Sequence, residues 1–175
     1  MRLDTKEKRA AYRACMVPKD SVRDQRNAAF DPKKFILDTA AADLRPFMGA
    51  AQFSTMRRCA RGEEGDWFIT RMVELAALIL TMPKTYEQDG KGEAATAHLH
   101  YFTASADWYI TEKDAETPEK PGQHQAFGLA DLFGERFQGG GELGYISIVE
   151  LIENGAELDL HWTPRTLAAV RERAA

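Results

Sequence analysis

The chain has only two cysteines in 175 residues, and no stretch of it approaches the roughly 18 consecutive apolar residues of a membrane-spanning helix. Cys15 and Cys59 stand far apart and form no C-x-x-C pair, which argues against a zinc knuckle or a redox dithiol and leaves two reduced, incidental thiols. There is no G-x-S-x-G, and neither cysteine lies in a recognisable signature with a histidine, so nucleophilic catalysis has no visible carrier. There is no G-x-x-x-x-G-K-[ST] and no G-x-G-x-x-G, so nucleotide phosphates have no evident cradle and no cofactor is expected. The opening MRLDTKEKRAAYR carries charge where a secretion signal needs its apolar region, so the expectation is a cytoplasmic protein without a membrane partner. Internal repeats and low-complexity tracts are also missing.

What is present is an uneven charge distribution. Through Arg61 there are 14 Lys and Arg against 7 Asp and Glu, a net of +7; from Gly62 onward 9 against 20 give −11, which together make the net −4. The chain is basic first and acidic after. This suggests residues 1–61 as a basic helical segment and residues 62–175 as an acidic domain. Arg57, Arg58 and Arg61 are the candidate nucleic-acid contacts of the basic part, although near a helix C-terminus they also complement the helix dipole. The aromatics available there for stacking on a single strand are Tyr12, Phe30, Phe35, Phe47 and Phe53. The acidic body suits a basic protein surface, and Glu157 and Asp159 are its candidate contacts.

Hydrophobic spacing predicts the elements. Asp31-Pro32 reads as an N-cap with proline at the first helical position, opening a helix that ends before Pro46, and a second helix covers about Ala50 to Ala60. Phe68, Met72, Leu75, Ile79 and Met82 recur at helical spacing from Asp66 to Pro83. A hairpin follows over Ala97 to Asp114, then strands at His124 to Leu132 and Leu143 to Ile146, with a flexible turn at Gly139 to Gly141. Ser147-x-x-Glu150 is a capping box for a helix Ile148 to Glu153, closed by Asn154-Gly155. In the last strand Leu158, Leu160 and Trp162 alternate with Glu157, Asp159 and His161, one buried face and one wet, before Thr163-Pro164 opens a terminal helix. The order predicts an α+β fold: a largely antiparallel sheet of about five strands, covered by helices on one face and preceded by helices.

The hairpin holds the best candidate for chemistry. With Ala104, Ser105 and Ala106 as a three-residue loop, Thr103 pairs with Asp107, His100 with Ile110 and His98 with Glu112. His98, His100 and Glu112 then share a face, the ingredients of an open zinc or non-haem iron site and of a metal-dependent enzyme, with His124 and His161 as further ligands. The plainer reading is a half-buried sheet surface shared with Phe102, Trp108 and Ile110.

The blocks MPKTYEQDG (Met82 to Gly90), AHLHYFT (Ala97 to Thr103), DWYITEKD (Asp107 to Asp114), QAFGLADL (Gln125 to Leu132), ELGYIS (Glu142 to Ser147) and AELDLHWTPRTL (Ala156 to Leu167) resemble the uncharacterised family numbered 2958 among domains of unknown function. The resemblance covers about Gly62 to Val170 and extends to relatives on bacterial plasmids, integrated elements and phages. It implies no catalytic residues. It implies a non-enzymatic accessory protein of a mobile element that binds a host or element protein and inhibits a nucleic-acid-targeting defence system such as CRISPR-Cas or restriction. A metal-dependent enzyme at His98, His100 and Glu112 and a nucleic-acid-binding module in residues 1–61 are the alternatives.

Overall fold

A computed structural model describes residues 32–132 and 141–174, together with Ala10. The chain divides into two units, one running up to Leu44 and resuming at Ser54–Leu80, the other made of Arg45–Phe53 and Thr81–Ala175. Division by packing is therefore not division by charge at Gly62. The helix after Gly62 groups with the preceding helices, whereas a short piece of the basic segment groups with the sheet.

In the first unit, α1 (Pro32–Leu44) begins on proline, whose fixed φ suits the first helical turn, and stops ahead of Pro46. The expected cap Asp31 lies outside the described residues. Helix α2 (Ala50–Cys59) starts in one unit and ends in the other. Helix α3 (Gly65–Thr81) buries Met72, Val73, Leu75, Ala76 and Ile79, the stripe that its spacing predicts.

The second unit holds the α+β domain. Its main sheet has the order β5-β4-β3-β2-β6, with every neighbouring pair antiparallel. The strands are β2 (Leu99–Phe102), β3 (Asp107–Glu112), β4 (Ala126–Asp131), β5 (Glu142–Ile146) and β6 (Glu157–Leu158). A small second sheet pairs β1 (Thr96–Ala97) with β7 (Arg165–Thr166), two short strands that the sequence pattern does not announce. Helix α4 (Ile148–Glu153) is capped as expected, with the Ser147 hydroxyl accepting the Glu150 N–H at 3.2 Å, and it closes at Gly155 with φ +82°. Helix α5 (Leu167–Ala174) follows β7 directly.

The hairpin register differs from the expected one by a single residue. Thr103 N–H donates to the Ala106 carbonyl at 2.9 Å, so the loop takes in Thr103, and Phe102 rather than Thr103 stands opposite Asp107. His100 consequently faces Tyr109, not Ile110. A one-residue slip exchanges the faces of the whole partner strand. Trp108 and Ile110 therefore lie with Leu99 and Tyr101, and Tyr109 and Asp107 lie with His100.

Helical elements cover both faces rather than one. On the Tyr101 face, Leu99, Tyr101, Ile110, Ala126, Ile146 and Leu158 are buried, and the Tyr101 hydroxyl donates to the Phe47 carbonyl at 2.6 Å in the 3-10 turn Arg45–Phe47. On the His100 face, Leu129 packs with Ala95, Ala97, Leu167 and Val170, flanked by Tyr109 and Trp162. Strands β3 and β4 approach closely at Gly128, where a Cβ would collide with the Tyr109 carbonyl oxygen. Just beyond it the register shifts between Ile110 and Glu112, a β-bulge at Thr111.

Candidate functional site

The His100 face carries two polar constellations. In the first, His100 Nε2 lies 2.7 Å from Asp107 Oδ1 and Nδ1 lies 3.0 Å from Asp159 Oδ2. Ionised carboxylates only accept, so both bonds form together only when both ring nitrogens carry hydrogen. The imidazole stacks on Tyr109 with centroids 4.7 Å apart and planes 8° from parallel, and Phe102 and Trp162 close it in at 5.9 Å and 5.0 Å. Trp162 is itself fixed, its indole N–H donating to the Ala97 carbonyl at 3.2 Å and Arg165 lying 4.3 Å over its ring. Burial works against ionisation of Asp159, but the His100 hydrogen bond, the His161 backbone N–H and the charges of both histidines outweigh it and hold its carboxyl below the usual range. The Tyr109 phenol is pushed up to about 12, first by burial and then by the carboxylates of Asp107, Asp131 and Asp159, against the opposing pull of Arg165.

The second constellation is a hollow of about 530 Å³ between the loop at Thr85–Gly92, strands β3, β4 and β5 and the start of α5. That volume is in the range of small-ligand sites. Its floor is Glu112, 3 % exposed, whose carboxylate accepts the backbone N–H of Tyr86 at 3.0 Å on one oxygen and that of Gln88 on the other. Tyr86 has φ +76°, a strained conformation for a tyrosine that the carboxylate helps to hold. Gln88 is buried and fully engaged, donating to the Thr96 and Thr111 carbonyls at 2.9 and 2.8 Å and accepting the Thr96 N–H at 2.9 Å. The walls are Phe127, Leu143, Tyr145 and Leu167. At the lip the phenols of Tyr86 and Tyr145 are 2.6 Å apart, with their rings set edge to face. That hydrogen bond, followed by partial desolvation and the negative charges of Glu112 and Asp89, raises the Tyr145 phenol above its usual value.

Two of the three proposed metal ligands already have other partners, and the third stands apart from them. Both His100 nitrogens face aspartates, both Glu112 oxygens take backbone N–H groups, and His98 Nδ1 is buried without a hydrogen-bond partner among the described residues. His98 donates its backbone N–H to Ile110, so it does not stand opposite Glu112. Among the described residues no group of three or more His, Cys, Asp and Glu side chains is placed to hold a metal ion.

Of the two candidate protein contacts, Glu157 is exposed but Asp159 is turned to His100. The wet-and-dry alternation fails after Leu158 because Asp159 Oδ1 accepts the His161 N–H at 2.8 Å and turns the chain. In the basic segment, Arg57 pairs with Asp38 at 3.2 Å, while Arg58 and Arg61 are exposed. The residues that sequence reasoning missed are Asp107, Tyr109 and Trp162 around His100, and Tyr86, Gln88, Phe127 and Tyr145 around Glu112. Asp89-Gly90 was the one local signal, marking a turn beside the hollow.

No helix among the described residues is long and apolar enough to cross a membrane. No protein-family model, curated protein or solved structure matches this chain.

Proposed function

We propose that the protein is a non-enzymatic accessory factor of a mobile genetic element, phage or plasmid, related to the family numbered 2958. It acts by binding a host or element protein and inhibits a nucleic-acid-targeting defence system of the CRISPR-Cas or restriction type. The observation that carries the binding role is the outer edge of β5. Among the described residues no strand pairs with that edge, and Leu143 and Tyr145 stand on it 44 % and 58 % exposed, beside Tyr86 at 71 %. An open edge offers main-chain donors and acceptors, and tyrosines are favoured anchors of protein interfaces. Glu87, Asp89 and Glu142 are exposed nearby, which suits the basic clefts that hold nucleic acid. His100 and Glu112, the side chains with most chemical potential, are engaged in holding the fold, which favours binding over catalysis.

The test is capture from a bacterial host with the full chain and with a Leu143→Lys, Tyr145→Lys variant, followed by assay of the captured complex. A stoichiometric component of a nucleic-acid-targeting complex, inhibited by the wild type and released by the variant, is the expected result. Equal capture by both chains would place the interface elsewhere. A second reading, nucleic-acid binding through the basic segment, draws support from the exposed Arg58 and Arg61.

A further inference from the structure

We infer that the hollow beside Tyr145 is a guanidinium site that receives one arginine side chain of the protein partner. This rests on the binding role proposed above and adds the chemistry of its anchor. Glu112 is the centre of this site. Its two backbone bonds come from one loop, each on a different oxygen, and a carboxylate oxygen accepts more than one hydrogen bond. Acceptor capacity therefore remains on a carboxylate that lines the hollow.

The rest of the lining selects the sign and shape of the guest. Asp89 is the other charged residue in the lining, and no Lys or Arg contributes to it. An anion would meet two carboxylates, and an uncharged apolar guest would leave the buried one without a counter-charge. The Phe127 and Tyr145 rings meet edge to face at 5.6 Å, and the Tyr86 and Tyr145 rings at 6.5 Å, so aromatic faces and edges border the approach to the acid. A planar guanidinium both stacks on aromatic rings and pairs with a carboxylate, whereas an ammonium is a compact, strongly hydrated point charge. Leu143 and Leu167 offer apolar surface for the methylene stem. The hollow opens beside the edge of β5 that no described strand pairs with, so a partner chain lying along that edge is placed to present the side chain.

The experiment titrates the isotope-labelled full chain with N-acetyl-arginine amide and, separately, with the uncharged isostere N-acetyl-citrulline amide and with N-acetyl-lysine amide. The arginine probe is expected to shift the backbone amides of Tyr86 and Gln88, with the citrulline probe about ten-fold weaker and the lysine probe in between. Tyr145→Ala, at an exposed position, should weaken the arginine probe about ten-fold while the chain still unfolds cooperatively. Glu112→Gln should abolish the preference for charge; because it also loosens the loop, Tyr145→Ala carries the test if that variant does not fold. Equal binding of arginine and citrulline probes, shifts confined to remote acids such as Glu157, or indifference to Tyr145→Ala would each overturn the guanidinium site. Probe failure alongside capture that depends on Leu143 and Tyr145 would remove this inference alone. Probe binding alongside capture indifferent to them would remove the proposed interface instead.

Discussion

Gln52 and Leu158, 106 residues apart in sequence, hold each other through a two-way amide contact: Gln52 Nε2 donates to the Leu158 carbonyl at 2.7 Å, and the Leu158 N–H donates to Gln52 Oε1 at 3.1 Å. The side-chain amide occupies the place of a neighbouring strand on the outer side of β6. Gln52→Ala should cost about 1–2 kcal/mol in urea unfolding, since it frees two backbone groups at a partly buried edge. Gln52→Glu should cost at least as much, because it sets a carboxylate oxygen against the Leu158 carbonyl.

The same relationship bears on where the domain begins. A fragment from Gly62 lacks Gln52 and also Phe47, the acceptor of the fully buried Tyr101 hydroxyl. A fragment starting at Arg45 is expected to show a cooperative thermal transition, and one starting at Gly62 to show a markedly lower or absent one. Equal transitions would mean that the Arg45–Phe53 piece is dispensable.

Glu157 and Asp159 should part company under charge reversal. Glu157→Lys should leave stability within about 0.5 kcal/mol, as an exposed substitution away from special contacts. Asp159→Lys should destabilise by about 2 kcal/mol or more, because it sets a cation against His100. A double-mutant cycle with Asp159→Asn and His100→Ala should return a coupling of about 1 kcal/mol, reduced by the partial exposure of Asp159. A coupling indistinguishable from zero would reduce the contact to geometry without energy.

Acid sensitivity should begin with His98. Burial, and secondarily Lys91, holds its imidazole below the usual 6.5. The unfolded chain then binds the proton more readily, so this contribution is fully present above pH 6.5 and is lost as pH falls through the folded value. His98→Gln should flatten the decline of stability between about pH 6.5 and 5. A second decline belongs to Asp159 and Asp114, both held below 3.8. For Asp114, burial is outweighed by the N–H groups of Glu116, Gln125 and His124 and by the His124 charge. That contribution is present above pH 3.8 and disappears as pH falls through the depressed values. A wild-type profile unchanged by His98→Gln would show that this imidazole titrates alike in both states.

Elements governed by short-range rules were legible in sequence. Pro32 and Pro46 bracket α1, the stripe from Met72 to Ile79 is the buried face of α3, and Ser147 with Glu150 opens α4 where it should. What escaped were features set by one residue more or less. Including Thr103 in the hairpin loop exchanged Ile110 for Tyr109 opposite His100, and the turn at Asp159 cut the last strand short. The hollow draws Tyr86, Glu112, Phe127, Tyr145 and Leu167 from five separate stretches, and their meeting depends on a strand order that local periodicity does not encode.

The bulge at Thr111 gives this domain an unusual sensitivity to strand register. In a regular strand residue 112 would point the same way as Ile110, into the apolar Tyr101 side, and only the extra residue sends Glu112 beneath Tyr86 and Gln88. Were Thr111 drawn into the ladder opposite Phe127, Glu112 would fall opposite Ala126 on the apolar side, taking the buried carboxylate out of the hollow and stranding two loop N–H groups. Substitutions along β3 should therefore be graded in effect, while a change of its pairing register with β4 should act all at once. Among related sequences, an acid held on the Tyr109 side of β3 would be a better guide to a shared binding chemistry than overall identity.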